Sequence, residues 1–159
     1  MDQFSRHIVG GTVHKGSLTG ESICQMFAHL ISKNNIPKYL SSDNDPFFHY
    51  HQWQANLRIL EISENKSVSE IPISHPFIER LIETTRREYL DEILFWNSHD
   101  LKRKLNQFTD YYNMARAHYF LNSNTPASKY DNTEIEKINL QNYSWKTFCN
   151  GMFSIPVAA

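Results

Sequence analysis

Ser74-His75-Pro76-Phe77-Ile78-Glu79-Arg80-Leu81 opens the stretch whose reading decides the fold; it runs on through Ile82-Glu83-Thr84-Thr85-Arg86-Arg87-Glu88-Tyr89-Leu90 to Trp96. Its apolar residues fall at Phe77, Ile78, Leu81, Ile82, Tyr89, Leu90, Ile93 and Leu94, one stripe at helical spacing. That spacing predicts a single long helix over 74–96. An apolar stripe on one side only must be buried against another layer, so the rest of the chain has to supply one.

Downstream, Ser98 is placed to cap a second helix carrying Leu101, Leu105, Phe108, Tyr111, Tyr112 and Ala115. Asn122 to Pro126 ends the domain, read as residues 1–127, and 128–159 is a tail with a polar first half and an aromatic second half. Upstream, 63–73 reads as a polar, proline-containing loop, and Leu57, Ile59, Leu60 and Ile62 as a strand over 57–62. Residues 46–56 suit a short helix with Pro46 near its first turn. Lys38 to Ser42 reads as a buried strand entering a loop at Asp43. Thr19 is the N-cap of a helix bearing Ile23, Met26, Phe27, Leu30 and Ile31, which Asn34, Asn35 and Pro37 stop. His7 to His14, β-branched around Gly10-Gly11, predicts a strand or hairpin. Alternating strands and helices predict an α/β fold, a sheet covered by helices.

Bulk properties narrow the function classes. The 159 residues are 40% hydrophobic and 21% charged, a globular composition. No apolar run reaches the length of a membrane span, and Met1 to His7 lacks the pattern of a secretory signal. Cys24 and Cys149 make no disulfide framework, so both are expected to be free thiols in a reducing cytoplasm. A net charge of −1 argues against bulk electrostatic coating of nucleic acid and leaves local phosphate contacts open.

Two carboxylates carry the chemistry. Asp43 sits just past a predicted strand, the end of an α/β sheet where ligands collect. Glu79 lies in the first turns of the long helix, with thirty-five residues between the two. Hard oxygens on rigid elements suit Mg²⁺, which keeps several of its waters, and paired metals support in-line phosphoryl transfer.

The ordered set of segments resembles the catalytic core of retroviral integrases and of DDE transposases. The segments are Asp2-Gln3-Phe4-Ser5-Arg6-His7-Ile8-Val9-Gly10, Ser42-Asp43-Asn44-Asp45, His75-Pro76-Phe77-Ile78-Glu79-Arg80-Leu81 and Arg87-Glu88-Tyr89-Leu90. Tyr111-Tyr112-Asn113 with Arg116, then Leu121 and Thr125-Pro126, complete it. The resemblance implies an RNase H-like fold with a mixed sheet flanked by helices. It implies Mg²⁺ or Mn²⁺ as cofactor, DNA as partner, and DNA strand transfer as the parent activity. It carries the family's second acid to Asp43 and its glutamate to Glu79, both as catalytic metal ligands. The family's first aspartate lies on the first strand, upstream of the segment resembling Asp2 to Gly10. The chain is therefore expected to lack that strand and to be a truncated transposase. It would be completed by an upstream piece, or be a non-catalytic remnant that binds DNA or full-length transposase subunits.

Other residues divide between function and packing. Arg86 and Arg87, seven and eight positions beyond Glu79, are candidates for DNA phosphates, although 79–104 holds six basic and six acidic residues. Asp45 is read as a turn residue before a ligand, Lys102-Arg103-Lys104 as a solvated face, and His75 as helix-entry packing. His49 and His51 are spaced wrongly for zinc on one helix face. Trp53, Trp96, Tyr111 and Tyr112 are read as core. Asn113 and Arg116 stay open between DNA contact and helix capping.

Overall fold

The computed structural model describes residues 1–66, 76–130 and 143–158. The chain divides into two compact units, Thr12–Thr84, and Met1–Gly11 with Thr85–Ala159. The expected start of the long helix at Ser74-His75 lies outside the described residues.

The unit Thr12–Thr84 begins with α1 (Gly20–Ile31). Its cap is reciprocal: Thr19 Oγ1 accepts from the Ser22 N–H, and Ser22 Oγ accepts from the Thr19 N–H. Gly20 is needed for space, since a Cβ there would lie 2.5 Å from Cγ of Tyr50. β1 (Tyr39–Ser42) follows. A 3-10 turn over Pro46–His49 and α2 (His51–Ile59) come next, and β2 (Ser63–Lys66) closes the crossover. The two strands are parallel, with Leu40 opposite Glu64 and Ser42 opposite Lys66. Cys24, Trp53, Leu57 and Ile62 form the core, with Phe27 and Phe48 edge-on to the Trp53 indole at 5.0 and 5.2 Å. α3 (Pro76–Glu88) buries Leu81 and Thr84.

Several expectations need correction here. Leu57 to Ile62 is not a strand. Trp53 and Leu57, one helical turn apart, are both 2% exposed, while Ile59 is 79% exposed. Tertiary burial thus follows helical spacing, and the chain reverses at Glu61, whose φ is +55°. The strand comes afterwards, in the polar Ser63-Glu64-Asn65-Lys66 that reads as loop. The helix expected over 46–56 is broken at Tyr50, whose backbone is extended, and then runs on to Ile59. β1 is only partly buried.

In the other unit, the helix expected to reach Trp96 stops at Glu88, where Tyr89 leaves helical geometry. A 3-10 turn covers Leu90–Glu92. The segment after it pairs forward instead. The Lys104 ammonium donates to the Leu94 carbonyl, and Asp100 accepts from the Trp96 N–H at 3.2 Å. Trp96 is 84% exposed, so it is not core. α4 (Ser98–Met114) is capped by Asn97, one residue before the expected Ser98, through the Asp100 N–H. It buries Phe108 and Tyr112, and the Tyr89 ring stacks on Phe108 at 5.3 Å. α5 (Pro126–Tyr130) starts on a buried proline. The aromatic half of the tail forms an antiparallel hairpin of β3 (Tyr143–Phe148) and β4 (Phe153–Ala158), with Tyr111 stacked on Phe153 at 3.8 Å.

His7 to His14 carries no strand. The buried amide of Asn113 takes the part of a neighbouring strand. Its Oδ1 accepts from the Ile8 N–H at 2.9 Å and its Nδ2 donates to the Ile8 carbonyl at 3.0 Å. The α/β character is as expected, and the described strands form two two-stranded sheets, one parallel and one antiparallel.

Candidate functional site

Asp43 directly follows β1, and its side chain is exposed. Its Oδ1 accepts a 3.3 Å hydrogen bond from the Asp45 N–H. Asp45 caps the 3-10 turn instead, accepting from the Phe47 N–H at 2.9 Å, as its reading as a turn residue requires. Glu79 stands in the first turn of α3, exposed, while Leu81 and Thr84 face inward. Both carboxylates therefore belong to the unit Thr12–Thr84 and both meet solvent.

The loop after Asp43 is tied down by polar groups. Asn44 Oδ1 lies 2.9 Å from Nε2 of His49, whose Nδ1 lies 3.1 Å from the Lys66 ammonium. Lys66 and Gln54 both donate to the Phe48 carbonyl, at 3.3 and 2.9 Å. His49 is thus a structural tether of this loop.

Glu64, on β2, is the residue that the sequence reading missed. Its Oε1 accepts from Ser42 Oγ at 2.8 Å and from Trp53 Nε1 at 2.9 Å, and its Oε2 accepts from Gln54 Nε2 at 2.8 Å. Burial pushes this carboxyl up, and the three donors, aided by Lys66, outweigh it and bring it below the usual carboxylate range. Ser63-Glu64-Asn65-Lys66 has the composition of a loop, so only the parallel pairing with β1 exposes the role. The one hint in the sequence is Trp53-Gln54, an indole N–H and an amide on a turn of helix that must face inward.

Of the basic residues, Arg86 and Arg87 are exposed on the last turn of α3, and neither makes an ion pair among the described residues. Arg116 is committed elsewhere: its guanidinium grips Glu88 at 2.9 and 2.7 Å, which raises its pKa further. Asn113 is committed to Ile8. Arg103 and Lys104 pair with Asp100 at 2.7 and 3.0 Å, and these bonds hold Asp100 down at about 2. Only 13% of the Lys104 side chain is exposed, so the expected solvated face is partly a packed one. His75 lies outside the described residues.

As a metal site the donors fit in kind. Asp43 and Glu79 offer hard carboxylate oxygens, and neither is neutralised by an ion pair among the described residues. Their number is two; among the described residues no three His, Cys, Asp or Glu side chains converge as a metal-binding group. Among the described residues, too, no helix is long and apolar enough to cross a membrane.

Comparison with known proteins gives a consistent fold. The family model described as integrase core domain matches residues 70–126. No curated protein sequence matches the chain. A chain of the simian T-cell lymphotropic virus intasome superposes with a TM-score of 0.63 at 15% identity, over 84% of this chain and 50% of that one. The catalytic core domain of BIV integrase gives 0.58 at 19% identity, over 75% of each chain. The HTLV-2 integrase catalytic core domain, solved in complex with magnesium in a trimeric form, gives 0.53 at 17% identity, over 70% and 69%. The chain spans half the length of the intasome chain it matches.

Proposed function

We propose that this chain, which has the RNase H-like fold of an integrase catalytic core, works in metal-dependent DNA strand transfer of the integrase and transposase type. The observation that carries the reading is the placement of Asp43 and Glu79. One carboxylate follows the end of β1 and the other stands in the first turn of α3, both exposed and in one unit, within a fold shared with integrase cores.

In this reading Asp43 and Glu79 hold Mg²⁺ or Mn²⁺. When bound, the ion supplies Lewis-acid stabilisation to the entering and leaving oxygens of an in-line displacement. In that displacement a water or a terminal 3′-hydroxyl forms the new P–O bond, and the old P–O bond breaks to release a 3′-oxygen. Exposure of both carboxylates allows a substrate as broad as duplex DNA to approach. Arg86 and Arg87 supply phosphate contacts that position the strand without reading its sequence. Partners are DNA and further transposase subunits, and the working compartment is the cytoplasm.

The test is Mg²⁺-dependent nicking or strand transfer on supercoiled plasmid, with the chain alone and with any upstream segment that its genomic DNA encodes. Asp43→Asn and Glu79→Gln are each expected to lower the rate on the order of 100-fold. Nicking that survives both substitutions overturns the enzymatic reading. A second reading is a non-catalytic protein that binds DNA or transposase subunits. Salt-sensitive DNA binding without nicking in either form would establish that one.

A further inference from the structure

Deepening that reading, and resting on its assignment of Asp43 as a ligand, we propose that Glu64 is the positioning residue of Asp43, acting through Ser42. Among the described residues Asp43 has little of its own to hold it: an exposed side chain and one 3.3 Å bond from the Asp45 N–H. The residue before it is the opposite. Ser42 is 6% exposed, and its hydroxyl donates to Glu64 Oε1 at 2.8 Å. Glu64 is itself clamped from α2 by the Trp53 indole and the Gln54 amide. Trp53 is 2% exposed at the centre of the core.

A rigid line therefore runs from the core, through a carboxylate with three donors, to the last residue of β1. Fixing the backbone there restricts the directions open to the Asp43 side chain. A carboxylate that pays its ordering entropy in advance binds a cation more tightly. The pairing of Ser42 with Lys66 and of Leu40 with Glu64 keeps both ends of the clamp in register. Glu64 is not a ligand in this scheme, because its two oxygens are taken up by Ser42, Trp53 and Gln54.

The test uses the full chain with Mn²⁺ as probe and two readouts: Mn²⁺ affinity by electron paramagnetic resonance, and amide hydrogen exchange at Asp43–Asp45. Ser42→Ala and Glu64→Gln are each expected to weaken Mn²⁺ about 10-fold and to speed exchange in that loop. The double variant should bind no more weakly than either single one, since both cut the same line. Ser42→Ala leaves Glu64 its two other donors, so it reports even if Glu64→Gln fails to fold. Loss of binding in Asp43→Asn with unchanged affinity in Ser42→Ala and Glu64→Gln overturns the positioning role and leaves Asp43 a ligand. No binding by the native chain, or binding indifferent to Asp43→Asn, removes the ligand assignment and this proposal with it.

Discussion

Asn113 does for Ile8 what a strand does for its neighbour, exchanging both backbone hydrogen bonds through one buried amide. Asn113→Ala leaves a buried N–H and C=O without those partners and is expected to cost about 3 kcal/mol, read as a lower denaturant midpoint. Protonation of His118 opposes folding. Burial, then the Arg116 guanidinium, push it down to about 4 despite the pull of Glu88. Unfolding restores it to 6.5. Between those values the unfolded chain binds the extra proton, so this contribution is complete above pH 6.5 and is lost as pH falls toward 4. His118→Gln should flatten that part of the stability profile, by on the order of 2 kcal/mol across the window, in melts taken at stepped pH.

Among elements, α2 shows how burial decides between two periods. Leu57 and Ile59 share a face in a strand and are separated by 200° in a helix. The structure buries the first and exposes the second. Leu57→Ala is expected to cost about 3 kcal/mol and Ile59→Ala less than about 0.5 in equilibrium unfolding. Equal costs would restore the strand reading. α3 ends early for a related reason: the Leu94 carbonyl and the Trp96 N–H find partners in α4, so continuing the first helix would forfeit those bonds.

Across the whole molecule, charge is nearly balanced at −1, so any affinity for DNA has to come from local cations. Arg116, Arg103 and Lys104 are held in ion pairs, whereas Arg86 and Arg87 are exposed and make none among the described residues. Replacing both Arg86 and Arg87 with Ala should weaken binding evenly across DNA sequences. It should also reduce the slope of log affinity against log salt by about 1 per arginine. An unchanged slope would place the phosphate contacts elsewhere.

The sequence alone determined what depends on neighbours along the chain: the Thr19 cap, the stop after Ile31, the loop at Asp43, the turn role of Asp45 and the helical character of the residues around Glu79. Its ordered motifs also led to the integrase-core fold. Capping, turn chemistry and amphipathic spacing act within a few residues, which is why these were legible. Tertiary structure decided the rest. It made a strand of Ser63–Lys66, because a polar segment becomes a strand only when a partner such as β1 satisfies its backbone. It turned Asn113 and Arg116 inward to Ile8 and Glu88, partners 105 and 28 residues away, which no local pattern encodes. It also brought Ser42, Trp53, Gln54 and Glu64 into one cluster, through pairings of strand and helix that spacing along the chain does not contain.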